Sequence, residues 1–218
     1  MQISKETIQF LTDLGENNDR DWFTANKKRY ETAHLEVATF CEGMIEKLSG
    51  IDQIELVSGK KSLMRIYRDV RFSKDKSPYR NRLCGYFTRA TEQRRGTYVF
   101  NIEPGKFFVG GGFWGPAPKD LLKIRNGIKN NLEEFKGIVE DPHFVETFGA
   151  IAGESLKTAP KGFEKDDPAI AFLRLKQFLV GRDLTEADVL SPNFPMICLE
   201  IYNKLRPFFD FMSRELTQ

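Results

Sequence analysis

Apolar positions recur every three or four residues at both ends of the chain and at every second residue in the middle, and this change of period sets the expected architecture. Ile8, Leu11 and Leu14 share a helical face behind Ser4, a side chain suited to capping, and Gly15 ends the run. Asn18 followed by Asp21 resembles a second cap, after which Phe23, Tyr30, Val37, Cys41, Met44 and Leu48 keep helical spacing as far as Gly50. Between Leu63 and Phe113, short apolar alternations predict strands over 63–72, 83–90, 97–103 and 106–113. The last three strands are separated by the turn-forming stretches Thr91–Gly96 and Glu103–Gly105. Pro116 and Pro118 then open a helix carrying Leu121, Leu122, Ile124 and Ile128, followed by a shorter helix near 131–140 and another turn at 142–149. Residues 153–168 read as an irregular loop, and Ala169–Val180 divides into a helix and then a strand. Asn193 and Pro195 start a last helix on Ile197, Ile201, Leu205, Phe208, Met212 and Leu216, with a kink or an interruption expected before Pro207. A helical opening, a block of strands and a helical close predict an α+β fold. Its mainly antiparallel sheet of about four to six strands is packed with N-terminal and C-terminal helices.

The length of 218 residues fits one compact domain over 1–218, because no linker is visible. The 19 phenylalanines are far more than ligand contacts need, so most are expected to fill the layer between helices and sheet. Trp22 is expected to staple the entry of the second helix to the core. No apolar run approaches the length of a membrane span, and no secretory signal is visible, so a cytoplasmic location without a membrane partner is expected. Cys41, Cys84 and Cys198 are odd in number and far apart, as expected for buried free thiols.

Charge changes the picture more than composition does. The chain carries a net +2, but residues 60–95 hold twelve bases against Asp69, Asp75 and Glu92, a local +9 that leaves −7 for the rest. Such a block predicts an anionic partner or an internal ion-pair network. As a strand, 65–72 puts Ile66, Val70 and Phe72 on one side and Arg65, Tyr67, Asp69 and Arg71 on the other. Arg68 falls on the apolar side and therefore needs a carboxylate partner. The polar loop Ser73–Arg82 adds Lys74, Lys76 and Tyr79. A second feature, Val109–Pro116, delivers a glycine-rich strand end with Trp114 directly into a helix start, where free amides attract anions. Its glycines fit neither phosphate-binding nucleotide motif, so they read more simply as residues that let a strand bend while Trp114 packs across it.

Other schemes find little in the residues. His34 and His143 lie in unrelated segments, and no spacing indicates a metal centre or specifies a cofactor. Cys84 reads as a small strand residue, and Asp166-Asp167-Pro168 reads as a helix cap more simply than as a carboxylate pair.

The segments Asn17–Phe23, Arg65–Tyr79, Gly110–Trp114 and Pro160–Phe163, together with Asp167-Pro168, resemble the motifs of the family catalogued as domain of unknown function 2461, found in bacteria and fungi. The resemblance spans nearly the whole chain and implies a compact domain over roughly 4–216. It supplies no activity, and Asp167 stands where it leads one to expect a histidine.

The expected function is binding of a small phosphorylated or carboxylated ligand in a basic cleft built from 65–82 and 110–116. Arg65, Arg68, Arg71, Lys74 and Lys76 would hold the anion, Tyr67 and Trp114 would cover an apolar part, and Asp69 would orient the arginines. A general base, if chemistry follows binding, would be Asp69, Asp75 or Tyr79. One alternative is a nucleic-acid-binding module using residues 60–95, against which the modest pI of 8.3 argues. The other is an interaction scaffold with exposed phenylalanines. The sequence specifies no oligomeric state.

Overall fold

The computed structural model describes residues 2–91 and 93–218. In chain order the described elements are α1 (Lys5–Glu16), α2 (Arg20–Ala25), α3 (Lys27–Ser49), α4 (Gly59–Ser62), β1 (Leu83–Thr88), β2 (Thr97–Ile102) and β3 (Phe107–Phe113). They continue with α5 (Pro118–Asn130), α6 (Leu132–Val139), α7 (Pro142–Phe148), α8 (Ile170–Leu173), β4 (Phe178–Leu184), α9 (Glu186–Leu190) and α10 (Phe194–Thr217). The strands form one antiparallel sheet in the order β1-β2-β3-β4, so the fold is α+β. No helix among the described residues is long and apolar enough to cross a membrane.

The chain groups into two compact units. The first comprises Met1–Phe87, Val99–Val109 and Asp183–Glu200, and the second Thr88–Tyr98, Gly110–Arg182 and Ile201–Gln218.

In the first unit α1 starts where the sequence places it, with the Ser4 hydroxyl accepting from the Thr7 amide at 3.2 Å. The long helix expected from Asn18 to Gly50 is divided. Asp19, not Asn18, caps α2, and Asn26 interrupts the run by donating its side-chain amide to the Trp22 carbonyl at 3.0 Å before α3 begins. Val37, Phe40, Cys41, Met44 and Leu48 of α3 are buried, and Phe40 stacks on Phe194 and meets Phe100 edge-on. Trp22 is half-buried with its ring 6.2 Å from Phe10. Gly59 lets α4 lie directly on α3, since a Cβ there would sit 2.1 Å from the Ala38 carbonyl oxygen.

The expected strand over 63–72 does not form. Leu63 bridges Gly85 and Tyr67 bridges Tyr79, but three residues separate the bridges on one side and five on the other. The two extra residues break the ladder, and Pro78 has no amide with which to complete it. What remains is an irregular antiparallel arm held by backbone bonds from Met64 to Cys84, Arg68 to Pro78 and Arg80 to Ile66. Glu103–Lys106 forms the expected turn, with Lys106 donating to the Glu103 carbonyl at 2.8 Å and Gly105 at φ +77.

In the second unit the phenylalanines of α10 meet aromatic side chains from β2, β3, α6 and α7. Phe208 and Phe209 lie against Phe113, Phe208 also faces Phe135 and Phe144, and Tyr98 packs on Tyr202 and Phe209. Of the kink or interruption expected before Pro207, the interruption is absent and α10 runs through it. Pro207 and Asn203, the residue whose carbonyl loses its helical donor, are both exposed, so solvent can take the place of the missing amide. Arg89 is buried, with its side chain 0% exposed, and it is ion-paired with Asp210 while also donating to the Arg95 carbonyl and the Ser213 hydroxyl, both at 3.3 Å. Ser213 in turn accepts from the Arg95 amide at 2.8 Å.

Two substitutions separate close approach from mere backbone strain. Gly112 has φ +149 and a Cβ there would lie 2.1 Å from the Phe178 carbonyl oxygen, whereas Gly105 has open space around it. Gly112→Ala is expected to lower stability by about 3 kcal/mol or more and Gly105→Ala by about 1 kcal/mol, measured by urea unfolding. Asp210→Ala, which removes a carboxylate partner of the buried Arg89, is expected to lower stability by about 3 kcal/mol in the same measurement.

Candidate functional site

The irregular arm places its alternate residues much as a strand would. Arg65, Tyr67, Asp69 and Arg71 are exposed, while Ile66 is buried and Arg68 and Val70 are half-buried. Tyr67 keeps 59% of its surface exposed. The arm is fixed to α2 by a reciprocal pair of hydrogen bonds. The Asn18 side-chain amide donates to the Tyr79 carbonyl and the Tyr79 amide donates back to Asn18 Oδ1, both at 3.0 Å. Phe23 then stacks on the buried Tyr79 ring at 3.9 Å and 13°. The same Phe23 lies 6.2 Å from Tyr67 and 5.2 Å from Tyr30, whose ring is 5.5 Å from His34.

These contacts bring together residues that sequence reasoning passed over. Tyr30 and His34 are one turn apart on α3; Tyr30 enters the sequence reading only in the helix stripe and His34 only as a metal ligand, yet i, i+4 spacing alone puts them on one face. Burial pushes the Tyr30 hydroxyl above its ordinary range, helped by Tyr67 and Glu31, and pushes the His34 ring below its own, helped by the Lys60 ammonium. Tyr79 is likewise raised, first by burial and then by Tyr67. At neutral pH the cluster therefore presents neutral phenols and a neutral imidazole, groups that donate hydrogen bonds without adding charge.

The cations of the arm divide into two classes. Arg71 makes a two-pronged pair with Asp69, through Nε at 2.9 Å and Nη2 at 2.6 Å, and Arg68 pairs with Asp75. Arg68 thus has its required carboxylate, in an exposed residue. Lys76 donates to the Val70 carbonyl at 3.0 Å. Arg65 and Lys74 are exposed and have no hydrogen-bond or ion-pair partner among the described residues. Asp69 orients Arg71 and no other arginine. Arg71 holds the Asp69 carboxyl below the usual carboxylate range, and the Ser77 hydroxyl and amide, followed by Arg68, hold Asp75 far below it. Neither carboxylate is tuned to accept a proton at neutral pH, and Tyr79 holds its own proton more tightly than usual, which leaves all three expected bases poorly suited to that role.

The second unit holds the other expected feature. The glycines of 110–112 are used in packing, because a Cβ at Gly111 would meet the Thr97 carbonyl oxygen at 2.5 Å and one at Gly112 the Phe178 carbonyl. Trp114 is 79% exposed and does not pack across the strand. Asp167 caps as expected, with Oδ1 accepting from the Ala169 amide at 2.9 Å, and it pairs with Lys129 at 3.0 Å. Cys41, Cys84 and Cys198 are buried free thiols. No three of His, Cys, Asp and Glu among the described residues form a metal-binding group.

With this geometry in place, the comparison with known families is decisive for kinship. A family model described as a conserved hypothetical protein (DUF2461) matches residues 6–211. The chain belongs to the DUF2461 family. Two of the segments that carry the resemblance, Asn17–Phe23 and Arg65–Tyr79, are joined by the Asn18–Tyr79 hydrogen bonds. No significant match was found among curated proteins or among solved structures.

The pKa directions carry a testable sign. His34 is depressed in the folded state, so its contribution to stability is present above the ordinary histidine value of about 6.5 and is lost as pH falls through the lower folded value. Asp167, depressed by the Ala169 amide and then Lys129, acts likewise at lower pH. A proton NMR titration is expected to place His34 below 6.5. Asp167→Asn is expected to flatten the acid side of the stability curve measured between pH 2 and pH 5.

Proposed function

We propose that the first unit binds a small anionic ligand, phosphorylated or carboxylated, on the face formed by Arg65, Tyr67 and the Phe23–Tyr79 stack. The observation that carries this reading is the contrast between Arg65, which has no partner among the described residues, and Arg68 and Arg71, which already hold carboxylates. A guanidinium with its donor fork free suits a phosphate or carboxylate, and an exposed phenol ring beside it suits a planar portion of the same molecule. Lys74 adds a second unpaired cation to the loop. The glycine-rich 110–116 segment is left out of the ligand set, since its strand glycines are occupied by backbone packing. The arm thus acts as a binding element with one main anchor, and no residue in it is tuned for proton transfer.

One observation favours the nucleic-acid reading: Phe72 at the loop tip is 96% exposed and is followed by Lys74 and Lys76. Five of the twelve bases in 60–95, namely Arg68, Arg71, Arg82, Arg89 and Arg95, have carboxylate partners, which lowers the charge available to a phosphate backbone.

A thermal-shift screen of nucleoside monophosphates, sugar phosphates and aromatic carboxylates tests the first reading. At least one class is expected to raise the melting temperature by more than inorganic phosphate or succinate does, and Arg65→Ala is expected to abolish that excess while Arg71→Ala retains most of it. Equal loss in both variants, or no responding class, contradicts the reading. Steeply salt-dependent binding to single-stranded DNA that is lost in Phe72→Ala would favour the nucleic-acid reading in its place.

A further inference from the structure

We infer that Arg125 and Arg174 form an oxyanion-binding site in the second unit, taking a phosphate or carboxylate group. Arg125 lies on α5 and Arg174 is the C-cap of α8, and the two helices pack against each other. Arg125 Nη2 donates to the carbonyl of Leu175, the residue after Arg174, at 3.1 Å, which brings its guanidinium to the end of α8. In both arginines Nε is sealed from solvent and has no acceptor. Arg174 has no hydrogen bond or ion pair from its side chain to any described residue, and Arg125 has the Leu175 carbonyl alone. The neighbouring acids are already engaged: Asp167 by Lys129, one turn along α5, at 3.0 Å, and Glu154 by Lys176 at 3.2 Å.

An arginine whose Nε has lost water without gaining an acceptor carries a desolvation cost, and burial works against the Arg125 charge. In a purely structural role such a group has a carboxylate beside it, as Arg89 has Asp210 and Arg214 has Glu134. Here two such groups sit on packed helices, one of them bonded to the residue that follows the other, with no carboxylate bonded to either among the described residues. Their sealed Nε edges restrict the side chains, and the remaining Nη donors are neither sealed nor bonded. Partial burial lowers the local dielectric and strengthens the attraction for an incoming oxyanion relative to a fully hydrated arginine. Two such forks at one helix end suit the planar or tetrahedral oxygens of a carboxylate or a phosphate. The site is independent of the Arg65 reading.

Arginine side-chain NMR tests the assignment at the residues themselves, because sealed Nε–H groups exchange slowly and give resolved signals. Assignment by Arg125→Lys and Arg174→Lys is followed by titration of the whole protein with inorganic phosphate, and separately with succinate, at constant ionic strength against chloride. The expected result is a saturable shift of both Nε signals with phosphate or succinate and none with chloride, the responding ion naming the group the site takes. Arg174→Gln is expected to weaken that binding at least about tenfold, and Arg65→Ala to leave it unchanged. In buffer free of oxyanions Arg174→Gln is expected to melt no lower than the parent protein, since it removes an unmatched charge. Shifts that do not saturate or that chloride reproduces overturn the proposal. So does a lower melting temperature of Arg174→Gln with undiminished binding, the signature of a structural arginine.

Discussion

Neutralisation of guanidinium charge is the constraint on which the rest of this molecule turns. Desolvating an arginine costs free energy that the fold must offset with carboxylates or carbonyls. In the second unit, Arg89 is fully enclosed and matched by Asp210, and Arg214 grips Glu134 with both Nη atoms at 2.8 Å. In the first, Arg68 and Arg71 are matched within their own loop by Asp75 and Asp69. Against that background Arg65 on the arm and Arg125 with Arg174 near the end of α8, which hold no carboxylate among the described residues, are the arginines at which we propose that a partner from outside completes the arrangement.

Aromatic packing and close backbone contacts supply the frame that holds these charges in place. Phe23 joins α2 to the arm through Tyr79, and the Asn18 hydrogen bonds fix the distance between them, so Tyr67 and Arg65 are presented on a supported surface. The α10 phenylalanines do the same for the second unit, where Gly111 and Gly112 let β3 approach its neighbours without a side chain between. The glycine-rich strand end is thereby explained by packing.

Much of the fold was legible because local chemistry and burial agreed. Ser4 capping, the α3 stripe, the Pro118 helix start and the strands β1, β2 and β3 follow from caps, periods and turn residues that no tertiary contact overrides. The 63–72 strand was misread because alternation is necessary for a strand but says nothing of its partner, and the two extra residues before Gly85 spoil the pairing. Whether Pro207 would interrupt α10 was not legible, because its cost depends on whether solvent reaches the orphaned carbonyl. The basic arm was visible as charge, yet which cations keep their charge free was not, since Asp69 and Asp75 could equally have faced elsewhere. Tyr30, His34, Arg125 and Arg174 were invisible as site residues because long-range contacts alone give them their character.

The central claim, that anions are drawn to the arginines the chain leaves unmatched, is tested most directly by crystals soaked in selenate, a tetrahedral oxyanion located by its anomalous scattering. Ordered peaks are predicted beside Arg65 and beside Arg125 and Arg174, with none at Arg71, Arg89 or Arg214. Peaks confined to the carboxylate-paired arginines, or an absence of ordered selenate at all of them, would contradict the account.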